Sequence, residues 1–161
     1  MPEIAHVDPL SPAAVAILRR YYDDIITRYY GRAATAAEID EQLAGDPDDD
    51  LRGDLGSFFI ATGDEGCLGC AGVRWVDADT AELTRVFVAP AARGLGLAAT
   101  LVGAVETEAR RTGRRTVRLD TRSDLVEARA LYAKLGYAEV EPFNDSPYAD
   151  HWFAKDLRVA R

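Results

Sequence analysis

Gly94 and Gly96, in "RGLGLAATL" from Arg93 to Leu101, sit directly behind the strand-like run "ELTRVFVAP" and open a stretch of helical periodicity. A junction of this kind can seat an anion. Without a Cβ the main chain turns tightly and comes close to a phosphate, and the unsatisfied amides that begin a helix point at it. Gly94, Gly96 and Ala99 satisfy a loose G-x-G-x-x-A dinucleotide pattern, and Asp120, at the end of the next strand, falls where a ribose-binding acid would stand. That pattern opens a doubly wound sheet, however, and too few strand-helix units follow to build one. No Lys-Ser or Lys-Thr follows the glycines, which excludes a triphosphate loop. A tight turn with no ligand is the remaining reading.

Cys67 and Cys70 form "CLGC" inside a strand-like run. A zinc site would need two more ligands at matched spacing, and a redox pair would stand where a helix begins. Residues three apart in a strand point to opposite faces about 10 Å apart, too far for a disulfide. Two reduced thiols in or near the core are expected, and no metal.

The elements that must position the glycine turn are legible from period and punctuation. "EIAHVD" reads as a short strand, and Ser11 and Pro12 open a helix. Val15, Leu18, Tyr22, Ile25, Ile26 and Tyr29 recur along that helix at helical steps, and Gly31 closes it. Thr35 and Glu38 form a capping box for a shorter helix ending near Gly45, followed by the acidic run "DPDDDLRGDLGS", read as a mobile surface loop. "SFFIAT", "CLGCAGVRWV" and "TAELTRVFVAP" then form an antiparallel meander. Behind the glycines, Leu97, Leu101, Val105 and Ala109 make one helical stripe; Arg110 and Arg111 suit its negative end, and Gly113 stops it. "RTVRLDT" is the next strand, Asp124 and Glu127 are placed to cap the helix "LVEARALYAKLG", and "YAEVEPF" and "DHWFAKDL" make a last pair of strands around "NDSPYA". The order is β-α-α-β-β-β-α-β-α-β-β: an α/β (α+β) fold whose mixed, mostly antiparallel twisted sheet is flanked by helices, in a single domain over residues 1–161.

The chain has 161 residues, 48% hydrophobic and 29% charged, and no apolar run long enough to span a bilayer. A soluble, cytoplasmic protein without a membrane partner is expected, since "MPEIAHVDPLS" lacks the basic start and apolar block of a leader. The net charge of −8 argues against nucleic acid and suits a cationic or amine-bearing substrate. A homodimer is compatible with the sequence.

The stretch "VFVAPAARGLGLAATL" resembles the acetyl-CoA-binding motif of the GCN5-related N-acetyltransferase (GNAT) superfamily, whose Arg/Gln-x-x-Gly-x-Gly/Ala pattern is met by Arg93, Gly96 and Ala98. "EARALYAKLGYAEV" is similar to the same superfamily's second cofactor segment, with Ala128, Leu131, Tyr132 and Gly136 in register. The resemblance is strong from Glu82 to Val140 and looser before it. It implies the acyl-CoA N-acyltransferase fold and acetyl-CoA as co-substrate. Backbone from Gly94 through Leu95, Gly96, Leu97, Ala98 and Ala99 would then grip the pyrophosphate, with Arg93 adding a local charge. Main-chain groups of Val86, Phe87 and Val88 would carry the pantetheine arm where two parallel strands splay apart.

The same resemblance implies roles for two side chains. Glu82 occupies the strand position of a glutamate that takes the acceptor's proton, directly or through water, with Arg85 on the opposite face by alternation. Tyr132 matches a tyrosine whose hydroxyl points at the coenzyme sulfur. Leu125 stands where many relatives carry asparagine, so one polar contact to the pantetheine is missing. Lys134, Arg129 and Arg122 are candidates for the ribose phosphate. The acceptor, a small-molecule or amino-acid-like amine, would enter between the first two helices and the last hairpin, past Tyr29, Tyr30 and Tyr148, with Asn144, Asp145 and His151 as further wall candidates. A non-catalytic acyl-CoA-binding module and a nicotinamide-dinucleotide protein are the competing functions.

Overall fold

The computed structural model describes residues 2–45 and 49–158. Its elements are β1 (Glu3–His6), α1 (Pro12–Tyr30), α2 (Ala36–Gly45), β2 (Gly56–Gly63), β3 (Gly66–Trp75), β4 (Thr80–Val88), α3 (Leu97–Arg111), β5 (Thr116–Thr121), α4 (Val126–Lys134), β6 (Ala138–Val140) and β7 (His151–Asp156), with a short 3-10 turn at Pro90–Ala92. Local chemistry sets several boundaries. The Ser11 side chain accepts from the Ala14 amide ahead of Pro12, and Gly31, left-handed at φ 70°, closes α1 through its N–H to the Thr27 carbonyl. Thr35 and Glu38 form the reciprocal capping box, each side chain accepting from the other's amide.

The strands form one sheet in the order β1-β2-β3-β4-β5-β7-β6, antiparallel at every pairing except β4 with β5. A doubly wound dinucleotide sheet is thereby excluded. Alternation along β2 divides the core between the two faces. Phe59 and Ala61 pack with Leu97, Leu101, Val105 and Ala109 of α3, whereas Phe58 and Ile60 pack with Ala14, Ile17 and Leu18 of α1.

Four details depart from the sequence reading. On α1 the buried stripe runs through Ala14, Ile17, Leu18, Tyr22 and Ile26, leaving Val15 and Tyr29 exposed, because the helix lies on the sheet by a neighbouring face. The acidic stretch before β2 is not wholly a surface loop: Leu51 is fully buried against α1's side of the sheet and Asp50 pairs with Arg74, while residues 46–48 lie outside the described residues. The register Ala61↔Gly69 and Thr62↔Cys67 makes Leu68 an extra residue, a bulge that brings Cys67 and Cys70 to the same cluster rather than to opposite faces. Both are free thiols. Finally, the N-cap of α4 is Leu125 and has no side-chain cap; Asp124 is bonded to Arg122 and Glu127 to Arg28.

Candidate active site

β4 and β5 pair only at Thr80↔Thr116, Ala81↔Val117 and Glu82↔Arg118, after which no further pair forms and the strands part. Beyond that point the main chain of β4 has no β5 partner to hydrogen-bond. A second irregularity lies in the same strand. Cys70 registers with Phe87 but Gly72 with Thr84, so Arg85 and Val86 stand against the single residue Ala71, and Arg85 takes φ 54°, rare for a side-chain-bearing residue. The bulge inverts the strand's faces. Leu83 packs on the α3 side and Phe87 on the α1 side, while Val86 and Val88 turn toward α3. It also overturns the alternation expected for Arg85, which lines the same cavity as Glu82 and donates to the Thr84 hydroxyl at 3.2 Å.

The chain leaving β4 turns through Gly94 at φ 82° and Gly96 at φ 78°, and Gly96 is the N-cap of α3. A Cβ at either glycine would meet nothing within 4 Å, so the backbone angle rather than crowding calls for glycine. The first helical bond runs from the Thr100 amide to the Gly96 carbonyl, leaving the amides of Leu97, Ala98 and Ala99 ahead of the ladder with the positive end of the helix dipole behind them. Arg93 is anchored beside them, donating to the Val88 carbonyl at 3.0 Å and lying 3.4 Å from Asp24.

The parted strands and the glycine turn face one cavity of about 780 Å³. Val86, Phe87, Val88, Arg93, Gly94, Gly96, Leu97, Ala98 and Ala99 line it from one side and Ala128 and Tyr132 of α4 from the other. Leu95 does not; it is 78% exposed at the tip of the turn. Leu125, Lys134 and Arg122 reach the cavity and Arg129 does not. Arg122 is engaged by Asp124 and lies over the Tyr29 ring. Tyr132 is 6% exposed, and burial pushes its hydroxyl pKa well above the ordinary phenol value. Its ring meets Tyr137 edge-on at 5.8 Å.

Glu82 lines the cavity between two guanidinium groups. In register across β3, β4 and β5 stand Arg74, Glu82 and Arg118, with Glu82 Oε1 accepting from Arg118 Nε at 3.0 Å and Oε2 lying 3.5 Å from Arg74. Tyr29, Tyr30 and Tyr148 gather at the rim, Tyr29 edge-on to both others. Asn144, Asp145 and His151 stand away from the cavity: Asn144 is bonded to Asp120 and Trp152, and His151 to Glu139. Sequence reasoning passed over Asp24, Arg28, Arg74 and Gln42 as wall residues and considered Asp120 only for a ribose. A charged residue near the end of the strand that follows the glycine-turn helix was the available signal for Asp120. Four carboxylates, Asp24, Glu82, Asp120 and Glu127, share the lining with six cations, Arg28, Arg74, Arg85, Arg93, Arg122 and Lys134, of which Arg74 and Arg122 also pair with Asp50 and Asp124 outside it.

Residues 18–137 match the model of the acetyltransferase (GNAT) family. A protein named IAA acetyltransferase from Azospirillum brasilense is 31% identical over 150 residues, covering 90% of this chain and 88% of its own. Among solved structures, an acetyltransferase of the GNAT family from Staphylococcus aureus Mu50 superposes with a TM-score of 0.79 at 16% identity over 98% of this chain and 99% of that one. A GNAT family acetyltransferase from Elizabethkingia anophelis with acetyl-CoA bound superposes at 0.65 and 16% identity, over 96% and 97%.

Proposed function

Since the chain belongs to the acetyltransferase (GNAT) family, for which acyl transfer is the common chemistry, we propose that it is an N-acetyltransferase. In this reading it moves an acetyl group from acetyl-CoA directly to a primary amine of a small-molecule or amino-acid-like acceptor, both substrates being bound at once. One observation carries the reading: the open edge of β4 and the amide-lined start of α3 meet in a single cavity. The parts fit the coenzyme. The amides of Leu97, Ala98 and Ala99, freed by the left-handed glycines, suit a diphosphate, and the edge of β4 beyond Glu82, without a partner strand on its β5 side, suits an amide-bearing arm. Arg93, anchored beside the helix start, adds a local positive charge for the diphosphate.

Acetyl-CoA supplies the thioester carbonyl that is attacked and the thiolate that leaves. In this reading Tyr132, buried and bordering the cavity, is the partner of that thiolate. A phenol, ordinarily near pKa 10, is already a weaker acid than a thiol near 8.5, and burial widens the gap. Tyr132 therefore stays protonated and donates a hydrogen bond to sulfur without giving up its proton. An alkyl ammonium, with pKa about 10.4, must lose a proton before its nitrogen can attack. Glu82 and Asp120 are the carboxylates of the parting strands that could receive it. The three rim tyrosines would bound the acceptor's body.

The test is calorimetric titration of acetyl-CoA, followed by a primary-amine screen scored by thiol release. Gly96→Asp places a carboxylate among the helix-start amides and should abolish coenzyme binding. Undiminished affinity would move the diphosphate seat elsewhere, and coenzyme binding without thiol release for any amine would make the chain a binding module.

A further inference from the structure

The two carboxylates on the parting strands are built for different tasks. Glu82 belongs to the last paired rung of β4 and β5, and each of its oxygens faces a guanidinium, of Arg118 and of Arg74. It cross-links three strands. Asp120 lies two residues past Arg118 on the same face of β5, about 7 Å farther along, where β4 has left the sheet and the cavity begins. Its Oδ2 accepts from Asn144 Nδ2 at 2.8 Å. The Asn144 carbonyl oxygen in turn accepts from Trp152 Nε1 at 3.0 Å and from the Ser146 amide at 3.2 Å, so the amide has only one orientation and its NH₂ must face Asp120. Trp152 is itself fixed opposite Asp120 in the β5–β7 register. Among the described residues no side chain donates to Oδ1. One oxygen of Asp120 is thus held by Asn144, and the residue borders the cavity.

We propose that Asp120 is the seat of the acceptor's ammonium group and takes the proton from its nitrogen, and that Asn144 is the positioning residue that aims it. The inference rests on the cavity being the acetyl-transfer site. The proton passes from nitrogen to Oδ1, the neutral nitrogen forms the N–C bond, and the C–S bond breaks with its electron pair leaving on sulfur. The second proton shed by nitrogen ends on that sulfur, and protonated Asp120 returns its own to water.

The probe is 2-phenylethylamine, a terminal ammonium on a flat body suited to the rim tyrosines, with 2-phenylethanol as its uncharged counterpart. Binding of each to the coenzyme A-loaded protein is measured by calorimetry. The amine should bind at least tenfold more tightly than the alcohol, and Asp120→Asn should erase that preference while leaving coenzyme A affinity unchanged. Asn144→Ala, which keeps the charge but frees it, should lower kcat for the amine at least threefold more than it raises KM. Equal affinity for amine and alcohol in the unaltered protein, or a preference that survives Asp120→Asn, overturns the assignment. Should Asp120→Asn fail to fold, the amine-to-alcohol ratio of the unaltered protein and the Asn144→Ala split decide. Failure of the protein to bind coenzyme A would instead count against the acetyl-transfer reading itself.

Discussion

Tyr132 and Glu82 show how little a residue's type says about its work before its neighbours are known. Tyr132 sits on an apolar helix face and would pass for core; what distinguishes it is that its buried ring also borders the cavity. A hydrogen bond to a charged partner contributes about 1.5–3 kcal/mol, so Tyr132→Phe should lower kcat roughly tenfold to a hundredfold with acetyl-CoA affinity nearly unchanged. Steady-state rates beside a direct binding titration test this. Because burial raises the hydroxyl's pKa, no alkaline limb from Tyr132 should appear below pH 10 in the rate profile. Glu82 was legible as an acid on the strand before the glycine turn. Its two guanidinium partners come from β3 and β5 and were not.

At the scale of elements, local chemistry was decisive wherever its partners were local. The Ser11 cap, the Gly31 stop and the Thr35–Glu38 box all formed as their spacing implies. The box also carries a pH signature. Arg32, together with the Thr35 amide, holds the Glu38 carboxyl at about 2, below its ordinary value of 4.5. A depressed folded-state pKa contributes stability that is complete above the ordinary value and lost as pH falls through the depressed one. The start of α2 should therefore loosen between about pH 4.5 and 2, read by NMR titration of the Glu38 carboxyl against the Thr35 amide; a midpoint at the ordinary value would show the box is open in solution. By contrast, Glu127 had the spacing of a cap for α4 and is instead engaged by Arg28, 99 residues away in the chain. The bulges at Leu68 and at Arg85–Val86 leave no mark in the period-two pattern, and each reverses which residues share a face.

Across the whole molecule, the arrangement that supports the site includes a charge buried far from it in sequence. Lys155 of β7 donates to both carboxylate oxygens of Glu106 on α3, at 2.9 and 3.0 Å, and Glu106 also accepts from the Tyr137 hydroxyl at 2.8 Å. Lys155 and Glu106 side chains are each 4% exposed, and Tyr137 packs on Tyr132. Removing one partner of a buried pair strands the other, so Lys155→Met should cost about 3–5 kcal/mol, measured as a lower midpoint in urea unfolding. A change under 1 kcal/mol would show that water reaches the pair. The field of the chain also reads differently at this scale: its net charge of −8 suggested a site for cations, yet the main cavity wall gathers more cations than acids.

The sequence by itself determined the order of strands and helices and the glycine turn, because capping, left-handed backbone and hydrophobic period are settled by residues within a turn or two of each other. Only the tertiary structure decided where β4 and β5 part, which carboxylate is bonded by arginines and which by Asn144. Those outcomes depend on register between strands and on side chains tens of residues apart, and no local spacing encodes the meeting of distant groups.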